Sequence, residues 1–205
     1  MLYKFSFLLS FLFLVSCGAI SANDKKITVQ VETQDNIKDI DRVLTKRLNN
    51  IYGGFFSNIK STTKNKLITY KIHARGDVTE ETLRYYLETQ GQLSAYLDKS
   101  KPWFTSTDII NAEASYDEVT NEPVLRFSLS KEAAIRMKEK TTSNIGKILI
   151  LELDGKILTE VRIASPLSKH IQINFTRSAL INYRTAMLLR TGPLPEKVQL
   201  IKLDL

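Results

Sequence analysis

The chain has 205 residues, of which 43% are hydrophobic, 25% charged and 9% aromatic. This composition is typical of a globular protein and excludes a chain that is mostly disordered. The formal net charge is +7, but the basic residues are spread out and do not alternate with aromatics as they do in nucleic-acid-binding segments. We therefore expect no nucleic-acid partner. The charge is compatible with anionic lipid head groups, with an acidic partner, or with a solvated basic surface that has no partner.

The first 17 residues have the parts of a secretory signal. Lys4 precedes the apolar run 5–15, which is about a dozen residues long, whereas a helix that spans a bilayer needs about 20. Residues 14–17 (LVSC) resemble a lipobox, the site at which lipoprotein signal peptidase cleaves. In lipoproteins of that kind the cysteine, here Cys17, is acylated and becomes the first residue of the mature chain.

We therefore expect a lipoprotein signal peptide over 1–16 and, over 17–26, the lipidated Cys17 with a short spacer. Cys17 is the only cysteine, and a lone thiol in an exported protein is prone to oxidation unless it is modified. Acyl chains such as palmitate would tether the protein to a membrane. Cleavage near Ala22, or an uncleaved anchor, are the alternatives. Gly18 is not the aspartate that retains some lipoproteins at the inner membrane, which favours the outer membrane, with the protein facing the periplasm.

The first half of the remaining chain has the element order of a ferredoxin-like fold. Alternating and helical spacings of apolar residues, with the turn residues between them, define its elements. In chain order these are a strand over 27–32, a helix over 37–51, strands over 55–60 and 67–73, a helix begun by a capping box of Asp77 and Glu80, and a strand over 93–97. We call this predicted unit, 27–100, the base.

The second half predicts a further α+β unit, the head, over 101–195. Its predicted elements are strands over 109–116 and 123–129, a helix capped by Ser130, strands over 148–153 and 156–163 joined by an Asp154-Gly155 turn, a strand over 171–175, and a helix capped by Thr176. A terminal strand within 196–205 is expected to return to the base. The predicted crossings between the units are 98–106 and 191–196, with Pro102, Gly192, Pro193 and Pro195 as candidate hinge residues.

Several stretches of the head carry a family resemblance. They are 106–109 (STDI), 123–129 (PVLRFSL), 142–147 (TSNIGK) with 150–156 (ILELDGK), and 175–176 (FT) with 188–195 (LLRTGPLP). In order and spacing they resemble the first periplasmic domain of the protein-export subunit SecD, and the preceding half is similar to that domain's base. The resemblance implies an α+β fold with a ferredoxin-like base and an α+β head. Two stretches depart from the family pattern: 159–161 replaces a Ser-Ala-Pro-like turn, and 168–170 replaces paired glycines.

The sequence offers little for catalysis or for metal binding. The only histidines, His73 and His170, are about a hundred residues apart and lack a nucleophile motif or metal-ligand spacing. We therefore predict no enzyme activity, no metal and no cofactor. Trp103 and Phe104 are candidate polypeptide-binding residues at a predicted crossing, although they would equally well seal the interface between the units.

By resemblance, we expect a membrane-tethered, non-enzymatic binding module of the bacterial envelope. It would bind translocating or unfolded polypeptides, or a translocon-related partner. The rival interpretation is a structural adaptor lipoprotein that binds one folded envelope protein. An unrecognised hydrolase is a third.

Overall fold

A computed structural model describes residues 22–53, 57–98 and 101–204. The elements of the described part, in chain order, are β1 (Ala22–Val31), α1 (Ile37–Ile51), β2 (Ser57–Lys64), β3 (Leu67–Arg75), α2 (Glu80–Glu88), β4 (Leu93–Tyr96), β5 (Phe104–Thr105), a 3₁₀ turn (Ser106–Asp108), β6 (Ile109–Tyr116), β7 (Pro123–Leu129), α3 (Lys131–Thr142), β8 (Ile148–Leu153), β9 (Lys156–Arg162), β10 (His170–Ile173), α4 (Ala179–Thr191) and β11 (Val198–Asp204). The predicted signal peptide and Cys17 lie outside the described residues.

The base is a four-stranded antiparallel sheet in the order β11-β1-β3-β2. Alternate residues of β1 and β3 are apolar and buried, and α1 and α2 contribute their apolar stripes to the same core. The core residues of α1 fall at three- and four-residue spacings, as an amphipathic helix requires. The other face of the sheet is polar.

The fourth strand of the base differs from the prediction. The alternating pattern over 93–97 predicts a strand of the base sheet, but β4 lies between β5 and β8 in another sheet, and β11 pairs with β1 in its place. The whole head is thus inserted between α2 and the last strand of a ferredoxin-like unit. Alternating polarity shows only that a segment is a half-buried strand, and it does not identify the neighbouring strand.

The head contains two antiparallel sheets, in the orders β5-β4-β8-β9 and β10-β7-β6. Their apolar faces, with α3 and α4, enclose one core. The predicted Asp154-Gly155 turn joins β8 to β9, and both of its residues have positive φ angles (50° and 78°). Asp and Gly are the residue types that adopt this left-handed conformation most readily.

The helix caps confirm one prediction and correct two. Ser130 Oγ accepts a hydrogen bond from Ala133 N at 3.2 Å, as predicted for α3. However, α2 is capped by Thr79 rather than Asp77, and α4 is capped by Ser178 rather than Thr176. In each case two residues that favour N-caps stand two positions apart, and the spacing pattern alone does not distinguish them.

The predicted α+β class is confirmed by the four α-helices and three antiparallel sheets that the described residues form. No helix in the described part of the chain is both long enough and apolar enough to cross a bilayer.

Candidate functional site: the junction and the head groove

One buried cation joins the base to the head. Arg47 lies on α1 and is fully buried. Its Nη1 donates hydrogen bonds to the carbonyl oxygens of Tyr86 (2.7 Å) and Thr89 (2.5 Å), and its Nη2 donates to those of Gln90 (3.0 Å) and Gly192 (3.1 Å). The guanidinium therefore satisfies carbonyl groups at the C-terminal ends of both α2 and α4, where helices leave carbonyls without partners.

Burial disfavours the charge on Arg47 and lowers its pKa to about 10, while the nearby carboxylate of Asp154 partly offsets this effect. The side chain remains protonated at neutral pH. The sequence contains a sign that Arg47 is buried. Arg47 falls four residues after Val43 and three after Leu44, inside the apolar stripe of α1. A basic residue in such a stripe needs buried partners.

The two crossings between the base and the head are hydrogen-bonded to each other. The chain leaves the base through 89–92 and returns through 192–197. Leu194 N donates to the carbonyl oxygen of Gln90 at 2.8 Å, and Gln92 Nε2 donates to that of Leu194 at 2.9 Å. The crossings therefore form one unit rather than two independent linkers.

The β8–β9 turn fixes the first crossing from the head side. The carboxylate of Asp154 accepts hydrogen bonds from Gly91 N (3.0 Å) and Gln92 N (2.7 Å). The left-handed backbone that makes Asp154 a turn residue thus also points its side chain at the crossing. The same carboxylate is the acid whose charge acts on Arg47.

Of the candidate hinge residues, three lie in a crossing. Gly192, Pro193 and Pro195 belong to the second crossing, where the hinge remains a prediction. Pro102 lies between β4 and β5, inside the head, because the chain crosses at 89–92 and not at 98–106.

Trp103 and Phe104 lie in the head core rather than at a crossing. They are 8% and 1% exposed, and Phe104 packs against Phe127 with ring centroids 5.6 Å apart. They cannot grip a polypeptide from the interface between the units. Because they directly follow a proline, the sequence predicts a loop at this position, and it does not reveal that β5 pairs with β4.

A groove of about 190 Å³ opens in the head between β9 and β10, the edge strands of two different sheets. It is mainly apolar. Its lining includes Phe104, Met137, Leu151, Val161, Leu167 and Ile171. Phe104 therefore contributes to its floor, whereas Trp103 does not. Both departures from the family pattern flank this groove, since 159–161 lies in β9 and 168–170 leads into β10.

The two histidines lie on different sheets. His73 Nδ1 is 2.8 Å from Asp24 Oδ1 on the base, and His170 Nδ1 is 3.0 Å from Ser128 Oγ on the head. Each pair joins neighbouring strands, which explains both contacts structurally. No group of three or more His, Cys, Asp or Glu side chains suited to a metal ion occurs among the described residues.

The fold is an α+β head inserted into a ferredoxin-like base, with a mainly apolar groove on the head. A family model described as "SecDF, P1 head subdomain" matches residues 80–196. The chain belongs to this family, and it is a SecD-like periplasmic domain related to a protein-export subunit. That membership implies a periplasm-facing location at the membrane.

Individual relatives agree with this assignment. The chain is 42% identical over 64 residues to "Protein translocase subunit SecD" of Thermobaculum terrenum, covering 31% of this chain and 12% of that protein. It is 27% identical over 184 residues to the SecD of Rickettsia typhi, covering 87% of this chain and 33% of that protein. The chain thus spans at most a third of the length of either relative.

A solved structure shares the fold. The structure described as "Structure and function of a membrane component SecDF that enhances protein export" superposes with a TM-score of 0.72 at 18% identity, covering 88% of this chain and 99% of the other. The nearly complete coverage of both chains shows that the base and the head together form the shared unit.

The close packing of Arg47 against the first crossing predicts an unequal effect of two glycine substitutions. Gly91 and Gly76 have the same φ, +78°, but a Cβ at Gly91 would lie 3.2 Å from Arg47 Nη2, whereas a Cβ at Gly76 would meet nothing within 4 Å. Gly76→Ala should lose roughly 1 kcal/mol of unfolding free energy through backbone strain. Gly91→Ala should lose at least about 1 kcal/mol more, because the buried guanidinium must shift. Urea denaturation measures both, and equal losses would show that Arg47 is not tightly held.

The hydrogen bonds of Glu196, in the second crossing, predict that the stability of the protein depends on pH. Burial opposes its charge, but hydrogen bonds from Thr33 N (2.9 Å) and Thr33 Oγ1 (2.7 Å) outweigh burial and hold the pKa of Glu196 below its ordinary value. A lowered pKa in the folded state gives stability that is present above the unfolded pKa, about 4.3, and is lost as pH falls through the folded pKa.

Glu196→Gln should therefore lower the unfolding free energy at pH 7 and should flatten its decline below about pH 4.3. The matched control is Glu139→Gln, on an exposed position of α3, which should leave both the level and the slope unchanged. Thermal or urea unfolding at a series of pH values provides the measurement. Parallel curves for the parent and Glu196→Gln would refute the assignment.

Proposed function

We propose that this chain is a membrane-tethered, non-enzymatic binding module of the bacterial envelope, and that its head groove holds extended segments of translocating or unfolded polypeptide. The supporting observation is the apolar groove between two strand edges. The names of its relatives, a protein translocase subunit and a membrane component that enhances protein export, support the same substrate class. The tether is the acylated Cys17, and Gly18 in place of a retention aspartate favours the outer over the inner membrane.

The backbone of the groove suits an extended chain. Ile163, just after β9, bonds towards β8, since its N–H donates to Lys147 O (2.9 Å) and its carbonyl accepts from Gly146 N (2.8 Å). Antiparallel strands alternate, so the backbone groups of Arg162 point to the opposite, unpaired side. A peptide strand can add to such an edge through main-chain hydrogen bonds, while its side chains enter the groove.

The groove's size favours a side chain of a longer polymer over a small-molecule ligand. Its volume of about 190 Å³ is below the roughly 300–1,000 Å³ of typical small-molecule pockets. Its lining is mainly aliphatic, so that binding would depend on buried apolar area and on backbone pairing. Buried apolar area and backbone pairing are available to peptides of many different sequences. A module that binds different exported chains needs this tolerance.

A charge at the groove should weaken peptide binding. Val161 is half-buried in the groove, and Val119 is 93% exposed on the β6–β7 turn. Val161→Asp should weaken binding of a fluorescein-labelled peptide of alternating valine and threonine by at least about tenfold, roughly 1.4 kcal/mol, because an unpaired carboxylate would be desolvated. The same substitution at Val119 should have no effect. Fluorescence anisotropy provides the measurement.

The peptide itself supplies a second control. The same sequence with alternate backbone nitrogens methylated keeps its apolar side chains but cannot form an edge-strand ladder. It should bind at least about tenfold more weakly. Equal affinity of the two peptides would exclude strand addition, and equal affinity of the two Asp variants would exclude the groove.

A second surface favours the adaptor interpretation. A groove of about 350 Å³ lies where α4 meets the base, lined by Ile51, Val78, Leu180 and Tyr183, among others. Leu180 and Tyr183 are 57% and 51% exposed. Exposed apolar side chains beside a groove are suited to a folded partner. A photo-cross-linker at Leu180 that captures one dominant envelope protein would support an adaptor, and a cross-linker at Val161 that captures many exported chains would support polypeptide binding.

A further inference from the structure

The polar face of the base sheet carries a row of three lysines with no acid between them. Lys26 on β1 pairs in register with Lys71 on β3, and Lys71 pairs with Lys60 on β2. All three are exposed. Directly opposite side chains on neighbouring strands have Cβ atoms about 5 Å apart, and like charges at that separation are destabilising. The fold does not need this arrangement.

The acids nearby do not neutralise the row. Asp204, the register partner of Lys26, lies 3.0 Å from Lys202 Nζ, and Asp24 lies 2.8 Å from His73 Nδ1. In the ranges 22–53, 57–98 and 101–204, no ion pair involves any of the three lysines of the row. A depression of about 460 Å³ lies over the row, lined by these lysines together with Asn58, His73 and both acids.

The row lies midway along the strands of the base sheet, on the face opposite the base helices. Both crossings attach near Val198, at the end of the sheet where β11 begins and β1 finishes with Val31. Ala22 and Asp204, the outer ends of these strands, lie at the opposite end. Four residues separate Cys17 from Ala22, and an extended chain spans at most about 3.5 Å per residue. A Cys17 tether would thus hold β1 within about 20 Å of a bilayer.

We propose that this lysine row is a docking surface for anionic phospholipid head groups, which lays the polar face of the base sheet on the bilayer. The proposal rests on the membrane tether of the proposed function but not on the head groove. Three exposed ammonium groups on one face of the sheet match the phosphates of an anionic bilayer surface. Each basic side chain near an anionic surface strengthens attachment about fivefold. The row would orient the tethered domain with the helix-covered face of the base sheet away from the membrane.

Lysine footprinting of the full chain in lipid nanodiscs tests this proposal. Acetylation rates of Lys26, Lys60 and Lys71, read by mass spectrometry, should fall at least about fivefold in discs containing phosphatidylglycerol relative to discs of phosphatidylcholine alone. The protection should disappear at high salt, which screens exposed charges. Lys131 and Lys138 on α3 of the head should react equally in both discs. Equal rates for the three row lysines in the two kinds of disc would overturn the proposal.

A variant and a soluble anion complete the test. In Lys26→Gln/Lys60→Gln/Lys71→Gln, the protection of Lys202 on the same face should be lost, whereas Lys131→Gln/Lys138→Gln/Lys140→Gln should retain it. Inorganic phosphate added to the neutral discs should not protect the row, and equal protection by phosphate would overturn the bilayer assignment. Peptide binding by the head, measured in the same discs, should be unchanged by either triple substitution, so that failure of one proposal is distinguishable from failure of the other.

Discussion

The architecture depends on a single buried guanidinium. Arg47 donates its hydrogen bonds to four backbone carbonyl oxygens at the ends of α2 and α4, and not to a carboxylate as buried arginines usually do. Burying a charge is costly unless hydrogen bonds compensate for the lost hydration, and here Nη1 and Nη2 form four such bonds whereas the buried Nε forms none. The base helix α1, the exit of α2 and the exit of α4 must therefore be in place at once. Because the last two belong to opposite ends of the inserted head, Arg47 couples the folding of the head to that of the base.

The insertion of the head into the base explains why the two units are coupled. The base sheet is complete only when β11 returns from the head and pairs with β1, so the base cannot be completed before the chain has passed through the head. From the head side, Asp154 also stabilises the junction, because its carboxylate accepts hydrogen bonds from the backbone of the first crossing. The result is a domain whose head has a fixed attachment. Rocking of the head on the base would have to break this network, which makes a partner's binding energy the natural source of such a movement.

The sequence predicted the elements well and their partners poorly. Periodicity located the helices and strands because side-chain spacing is a local property. The sheet to which β4 belongs is decided by β8, more than fifty residues later, and local spacing carries no such information. For the same reason Trp103 and Phe104 were expected at a crossing but lie in the head core. The groove could not be foreseen either, since it exists only where the edges of two separate sheets face each other. Arg47 was detectable, as a cation within an apolar stripe, but its carbonyl partners were not.

The position of the groove favours an extended ligand over a folded one. Unpaired strand edges on a protein surface pair readily with edges of other folded proteins, and natural folds avoid this hazard. Here β9 and β10 face a shared recess of about 190 Å³ instead of open solvent. The sheet edge of a folded protein brings its whole domain with it and is too bulky to enter, whereas a single extended chain has no such bulk. Under the proposed function, the groove would therefore act as a filter, because a strand edge inside it would be accessible to an extended polypeptide but not to a folded protein.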